Sequence, residues 1–389
     1  MGIVQTARRE NGKGAEILTR TLLLPEGLRD RLPPQADAAS RVTRAMVDAM
    51  RSHGYARVQP PLAEYRETLG GGGDERSGRD LLRFTDPVSQ RTLAIRPDMT
   101  RQVGRIAASL LAVAPRPLRL CYAGQVVKLR ASQLRPAREM LQIGAELIGN
   151  DSVAAASEIV AVAIDALGAA GVTGVTVDFT LPDLVDALAA SALPLAADRI
   201  DVVKDALDAK DAGALAAMGA GAWLPLLQAT GPFDDALARL AAFDTTGVLA
   251  ERIAALAAIA APLRSRATVT LDPTERHGFE YQSWLGFTLF AAGQPVGIGR
   301  GGSYAIDHLD GRREVAIGFS LFPDPLIDDG LGADPARARR IFLPVGHDVA
   351  AAAALRADGW RTIAALCDAD DGAALGCSHH LKSGVPTAY

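Results

Sequence analysis

The sequence is poor in cysteine and in aromatic residues. Of its 389 residues, three are cysteine (Cys121, Cys367 and Cys377) and 5% are aromatic. An odd and sparse set of cysteines excludes a disulfide-stabilised scaffold and is typical of a reducing compartment, so we expect a cytoplasmic protein. Because aromatic side chains are scarce, the cores must consist mainly of alanine, leucine and valine.

The sequence also lacks an export signal, a membrane-spanning stretch and a long run of one charge sign. Residues 1–20 carry charges but no apolar segment of signal-peptide length. The longest uncharged run, 212–233, is interrupted by glycine and proline, which break helices. With 41 basic and 45 acidic residues the net charge is −4, which disfavours non-specific coating of nucleic acid. We therefore expect neither a membrane nor a nucleic acid as partner.

The order of predicted elements indicates an α+β fold. An amphipathic pattern predicts a helix over 36–53, ended by Gly54, and apolar patterns predict helices over 100–112 and 153–167. Strands are predicted at 55–62, 92–95, 118–123, 139–148, 172–179, 267–271, 285–291, 295–299 and 314–320. An alanine-rich, helical insertion at about 182–264 separates the two groups of strands. Because no regular strand–helix–strand series is present, we expect an antiparallel sheet.

The ends of the chain differ from this core. Residues 1–21 are expected to form an N-terminal tail, and the core is expected to span 22–326. A segment rich in glycine, aspartate and alanine, 328–337, is the best linker candidate. Beyond it, 338–389 is expected to form a small α/β domain with strands at 341–345 and 362–365, a helix over 348–357 and a second helix near Asp371.

A glycine-rich run, Gly297-Ile-Gly299-Arg-Gly301-Gly302, contains the G-x-G-x-x-G pattern of dinucleotide-binding folds. That fingerprint requires a helix immediately after it. Ser303 and Tyr304 follow instead, then a turn, so close backbone approach within a sheet or to a ligand is the favoured interpretation.

A second cluster, Cys377-Ser-His379-His380 with Cys367 ten residues earlier, allows a zinc site as an alternative. The paired spacing of common zinc sites is absent, so we expect no metal.

Polar side chains lie within the predicted strands of the core. Asp98 and Thr100 follow one strand, and Gln142 and Glu146 lie four residues apart on another. In an extended chain residues four apart point to the same face. A carboxamide, a hydroxyl and carboxylates are what a pocket for an α-amino group requires, although ordinary strand polarity is an alternative.

Two tyrosines extend this polar set. Glu280-Tyr281 and a predicted turn at Gly301-Gly302-Ser303-Tyr304 are expected to form a second wall of the pocket.

In this order, the segments resemble the catalytic core of histidyl-tRNA synthetases from about Leu22 to Phe322. Pro25-Glu-Gly27-Leu-Arg-Asp30, the helix after it and Gly54 to Leu62 resemble motif 1, which forms the dimer interface in that family. Leu93 to Thr100 and Gln142 to Glu146 resemble the segments that hold histidine. The resemblance implies a class II synthetase-like antiparallel sheet flanked by helices, and a dimer. It also implies a histidine-like ligand pocket, for which the candidate residues are Asp98, Thr100, Gln142, Glu146, Tyr281 and Tyr304.

The positions that bind ATP in those synthetases have changed. Lys128 stands where motif 2 has an arginine that binds phosphate through two parallel hydrogen bonds, and lysine cannot reproduce that fork. Arg130 replaces a glutamate that reads adenine, His277 replaces an arginine that assists adenylate formation, and Pro325 replaces the motif 3 arginine. Loss of several such groups weakens transition-state stabilisation, typically by ~3 kcal/mol for each. The resemblance therefore implies no catalytic residue and no cofactor.

The C-terminus is also too short for a full anticodon-binding domain, and 340–366 resembles a truncated remnant of one. A chain that keeps the amino-acid wall but lacks the ATP-binding groups resembles the regulatory subunits of ATP phosphoribosyltransferase. That resemblance implies a short-form catalytic subunit as partner in a hetero-oligomer, in the first step of histidine biosynthesis, with feedback inhibition by histidine. Two alternatives remain: an active histidyl-tRNA synthetase-like enzyme or ATP-dependent amino-acid ligase, and a free-standing amino-acid sensor.

Overall fold

The computed structural model describes residues 23–69, 81–131, 136–276, 283–308, 310–334 and 339–389. The predicted N-terminal tail lies outside these ranges. The chain forms two units, which divide between Gly332 and Ala333. This division falls inside the segment 328–337 that composition indicates as a linker.

A large mixed sheet organises the first unit. Within the described residues it has nine strands, in the order β1-β5-β6-β12-β11-β10-β7-β9-β8. They are β1 (Ala56–Arg57), β5 (Leu118–Val127), β6 (Glu139–Ile148), β7 (Thr176–Thr180), β8 (Gly231–Pro232), β9 (Thr268–Leu271), β10 (Gly286–Phe290), β11 (Gly299–Asp307) and β12 (Arg313–Leu321). Its centre, from β5 to β7, is antiparallel. The expectation of an antiparallel sheet is confirmed for these central strands. Two parallel pairings, β1 with β5 and β7 with β9, make the whole sheet mixed.

Two helices cover one face of this sheet. In α1 (Gln35–Ser52), Val42, Met46 and Met50 recur at four-residue spacing and are buried, and Gly54 follows the helix with a φ of +85°. In α4 (Val153–Ala169), apolar residues lie all around the helix, and the Ser152 side chain caps its N-terminus. Both helices belong to the main core, together with the β6 and β12 side chains that point to this face.

The opposite face of the sheet packs against α3 (Thr100–Ala108). Met99, Val103 and Ala107 form a second core there with Tyr122, Tyr304 and other sheet residues. Beside it lies a small antiparallel sheet of β2 (Ala63–Tyr65), β4 (Thr92–Ile95) and β3 (Leu82–Thr85), and α2 (Arg66–Leu69) follows β2. The predicted strand at 55–62 lies at the sheet edge, as its prolines require, but is shorter than predicted: Ala56–Arg57 pairs with β5, and Pro60 and Pro61 cannot donate to a ladder.

The segment from Leu184 to Leu263 is largely helical. It contains α5 (Leu184–Ala189), α6 (Ala197–Asp208), α7 (Ala212–Ala217), a 3₁₀ helix (Gly221–Gln228), α8 (Phe233–Phe243), α9 (Ala250–Ala260) and a second 3₁₀ helix (Ala261–Leu263). The short strand β8 lies between them and pairs with β9. After β12 the unit ends in α10 (Asp324–Asp328).

The prediction for 295–304 is wrong. Residues 295–298 are not a strand, and Gly301 to Tyr304 do not form a turn: they lie inside β11. Glycine there permits close packing, because a Cβ on Gly301 would overlap the Phe287 ring and the Gly318 carbonyl. Since β12 is the next element, the G-x-G-x-x-G pattern does not precede a helix.

The second unit is a four-stranded sheet in its described part, with the order β14-β13-β15-β16. Its elements are β13 (Arg340–Leu343), α11 (Val349–Ala357), β14 (Arg361–Ala364), β15 (His379–Lys382) and β16 (Val385–Ala388). The predicted helix near Asp371 is wrong, since turns occupy that segment. The β15–β16 hairpin was missed, although its two-residue turn, Ser383-Gly384, has positive φ at both positions, as tight hairpins require.

Candidate functional site

The predicted pocket residues meet on the α3 face of the large sheet. Glu146 on β6 is directly opposite Gly318 on β12, which is opposite Gly302 on β11 and then Gly286 on β10. Directly opposed residues share a face of the sheet. The row therefore presents three adjacent glycines as a floor without side chains, and Glu146 stands at its end.

Glu146 is buried and accepts hydrogen bonds from two tyrosines. Tyr122 donates to Oε1 at 2.9 Å and Tyr304 donates to Oε2 at 2.8 Å. Burial raises the pKa of Glu146 to about 8; the two tyrosine hydroxyls oppose this, and the nearby Asp98 adds to it. At neutral pH the carboxyl is therefore largely protonated.

Gln142 connects the sheet to the start of α3. Its Nε2 donates to Asp98 Oδ2 and to Ser320 Oγ, both at 2.8 Å, and its Oε1 accepts from the Met99 backbone amide at 2.9 Å. The hydroxyl of Thr100 lies 3.1 Å from that of Tyr122. Five predicted residues (Asp98, Thr100, Gln142, Glu146 and Tyr304) thus share one hydrogen-bond network, and the spacing argument for Gln142 and Glu146 agrees with their placement on one face.

A buried arginine holds the loop that carries Asp98. The Arg96 guanidinium donates to the carbonyls of Gln125 (2.8 Å) and Pro60 (2.9 Å), which ties the loop to β5 and to the segment after β1. A Cβ on Gly124 would overlap this guanidinium, so the glycine makes room for it. These contacts of the Arg96 side chain with backbone carbonyls hold the loop that carries Asp98 against β5.

Several residues of the site escaped sequence reasoning. Tyr122 and Ser320 complete the network, and Arg300 on β11 lines the pocket beside Gly301 and Gly302. One signal could have revealed Arg300: it is the single charged residue in the run 297–304. Ser303 lies on the opposite face of β11, where it contacts Ser283 and Leu285, so it does not line the pocket.

The pocket is small in this state. Its volume is about 30 Å³, which is room for one or two water molecules. Its lining comprises Asp98, Thr100, Glu146, Arg300, Gly301, Gly302, Tyr304, Gly318, Phe319 and Ser320.

Three residues that the sequence predicts to stand at former ATP-binding positions are not among the residues that line the pocket. Lys128 follows the end of β5, where its backbone pairs with Arg138, and Arg130 is exposed in the connection to β6. Pro325 is in the first turn of α10, next to Asp324, whose carboxylate accepts from the Leu141 amide at 2.8 Å and from Arg31. His277 and Tyr281 lie outside the described residues.

Comparison with known proteins decides the family. The family model for histidyl-tRNA synthetase matches residues 27–326. The chain is 42% identical over 376 residues to an ATP phosphoribosyltransferase regulatory subunit from Rhodospirillum centenum, with 93% of this chain and 95% of the relative covered. The corresponding subunit from Rhodospirillum rubrum is 42% identical over 377 residues, covering 94% and 97%. The chain belongs to the ATP phosphoribosyltransferase regulatory subunit family.

Solved structures agree with membership of this regulatory subunit family. A Bacillus halodurans protein described as an ATP phosphoribosyltransferase regulatory subunit/histidyl-tRNA synthetase superimposes with a TM-score of 0.77 at 25% identity, covering 91% of this chain and 96% of that one. Histidyl-tRNA synthetase from Nostoc gives a TM-score of 0.74 at 15% identity, covering 94% and 91%, and shows the fold alone. The fold is class II synthetase-like, with a mixed sheet flanked by helices, and the regulatory role in the family name agrees with the expected non-catalytic chain.

Neither a membrane span nor a metal site was expected from the sequence. Across the described ranges, no helix combines the length and apolarity needed to cross a bilayer. In the same ranges, no three His, Cys, Asp or Glu side chains gather as potential metal ligands; Cys377 is buried and Cys367 is exposed.

Proposed function

We propose that this chain is a cytoplasmic, non-catalytic subunit that activates a short-form ATP phosphoribosyltransferase catalytic subunit and makes it sensitive to histidine. The single observation that carries the proposal is the hydrogen-bond network of Asp98, Gln142, Glu146 and Tyr304, retained in a chain whose ATP-binding positions have changed. Its family membership supports the same role.

Histidine fits the chemistry of this network. In the proposal, the carboxyl groups of Asp98 and Glu146 accept hydrogen bonds from the ammonium and imidazole N–H groups, and Thr100 adds a hydroxyl. Each of these groups already has a protein partner in the small pocket, so histidine competes for contacts that link α3 to β6. A ligand that prefers one spacing of these elements shifts the equilibrium between two states of the chain.

Feedback then follows from linkage. If the catalytic partner favours one spacing of α3 and β6 and histidine favours the other, each weakens the binding of the other by the same coupling free energy.

We further propose that the chain self-associates through the helix region 36–53. Arg44, Asp48 and Arg51 on α1 are exposed, and beside them an open cleft of about 590 Å³ leaves this surface available for a second copy. The hetero-oligomer would then contain a dimer of this chain.

The test is reconstitution with a purified short-form catalytic subunit, ATP and phosphoribosyl pyrophosphate. We expect the chain to co-elute with the catalytic subunit, to raise its turnover at least tenfold and to confer inhibition by histidine. Glu146→Gln should activate equally but require at least tenfold more histidine for inhibition. The matched control Asp307→Asn removes an exposed carboxylate on β11 and should change neither property.

Absence of both binding and activation would refute the proposal. Histidine-dependent pyrophosphate exchange by the chain alone would support the synthetase alternative instead. Histidine binding without recruitment of any catalytic subunit would support a free-standing sensor.

A further inference from the structure

A continuous polar row crosses the sheet beside the glycine floor. Thr288 on β10 is directly opposite Arg300 on β11, which is opposite Ser320 on β12, and the row continues through Gly144 on β6 to Tyr122 on β5. Ser320 accepts from Gln142 at 2.8 Å, and Gln142 also contacts Asp98. Arg300 is therefore the cross-strand neighbour of a residue in the pocket network.

The pocket presents two carboxyl groups and one cationic group. Two carboxyl groups line it, those of Asp98 and Glu146, whereas Arg300 is the one cationic side chain among its described lining residues. A free amino acid brings an ammonium group and a carboxylate. The two carboxyl groups suit the ammonium group, and a guanidinium suits the carboxylate, which it can bind through two parallel hydrogen bonds.

A buried hydroxyl lies beside Arg300. Thr288 is 6% exposed, and its Oγ1 has no hydrogen-bond partner among the residues that the structure describes. Its other cross-strand neighbour is Asp178 on β7, and Thr288 is not among the residues that line the pocket.

Among the described residues, the positions that carry cations in synthetases do not supply this charge. Pro325 has no charge. Lys128 lies beyond the end of β5, beside Arg138.

We propose that Arg300 binds the carboxylate of the amino-acid ligand and so makes the pocket select a free amino acid over its decarboxylated or esterified analogue. The inference rests on the proposed function, because it assumes that the pocket takes histidine. It goes beyond that function because it assigns the carboxylate of the ligand to Arg300 on β11. In this arrangement Asp98 and Glu146 accept hydrogen bonds from the nitrogen atoms of the ligand.

Calorimetry with histidine, histamine and histidine methyl ester tests the assignment. We expect the unmodified chain to bind histidine at least 30-fold more tightly than either analogue. Arg300→Gln should lower the affinity for histidine at least 30-fold and change the affinity for histamine less than threefold. Arg300→Lys, which keeps the charge but not the fork, should give an intermediate loss.

Arg313→Gln is the matched control, because it removes an exposed guanidinium from β12 and should leave all three affinities unchanged. Equal losses for histidine and histamine in Arg300→Gln would overturn the assignment, as would no loss. If that variant does not fold, the unmodified chain still decides: equal affinity for histidine and its methyl ester overturns the assignment while leaving histidine binding intact. Failure of the unmodified chain to bind histidine overturns the proposed function together with it.

Discussion

Replacing Glu146 by glutamine should remove a pH dependence from the stability of the folded chain. Burial raises the pKa of Glu146 from 4.5 to about 8, against the opposing effect of the Tyr304 and Tyr122 hydroxyls. A carboxyl group with this pKa prefers its protonated form in the folded chain by roughly 5 kcal/mol more than in the unfolded chain. Ionising it in place is therefore costly.

The sign of the effect follows from proton binding. Between about pH 4.5 and pH 8 the folded chain keeps the Glu146 proton while the unfolded chain releases it. The unfolded state therefore gains relative stability as the pH rises, and the free energy of unfolding falls by about 1.4 kcal/mol per pH unit from this group. Asp98, Tyr122, Tyr304 and Arg300 face the same pocket and are unchanged in the variant.

Urea denaturation at pH 5.5, 6.5 and 7.5 measures the effect. Glutamine has the shape of the protonated acid and can accept from either tyrosine, so the variant should fold. Other titrating groups are common to both chains, so the difference in unfolding free energy between variant and unmodified chain isolates this one. It should move by roughly 2–3 kcal/mol in favour of the variant from pH 5.5 to 7.5. Parallel curves for the two chains would show that Glu146 is already ionised in the folded state.

Two further substitutions test the packing around the pocket. Gly318→Ala should lower the free energy of unfolding by roughly 1–3 kcal/mol and abolish histidine binding, because its Cβ would overlap the Glu146 carboxyl and the Ala145 carbonyl. The control Gly168→Ala adds a Cβ in open space on α4 and should not destabilise the chain. Asp324→Ala should lower the free energy of unfolding, measured by urea denaturation, by roughly 3–5 kcal/mol, because it leaves the Leu141 amide and Arg31 without their partner. The control Asp310→Ala, which breaks an exposed pair with Arg312, should change it little. Equal effects of the two substitutions would contradict the structural role of Asp324.

The sequence was informative where one physical requirement dominated. Strands β4 and β6 have the predicted boundaries, because alternation and apolar residues mark their whole length. The four-residue spacing of Gln142 and Glu146 also gave their common face, since strand geometry leaves no choice. Their common face follows from the two-residue alternation of a strand alone.

Other parts of the site depend on contacts that no local pattern records. A glycine-rich segment is typical of a turn, but in β11 glycine is required at position 301 because Phe287 and Gly318 on neighbouring strands leave no room for a Cβ. Once that segment is a strand, Arg300 and Tyr304 lie on one face, four residues apart. Tyr122 and Ser320 join the network through strand order, which connects residues almost 200 positions apart. Such pairings become visible only in the folded chain.

Asp324 holds three segments of the chain together at the start of α10. Its carboxylate binds the Leu141 amide and Arg31, and Pro325 follows it in the first turn of α10. An arginine at position 325 would replace a residue whose fixed φ favours this helix start, next to a side chain already committed to β6 and to the segment before α1. Substitutions at positions 324 and 325 therefore act on β6 and on the segment before α1 as well as on α10.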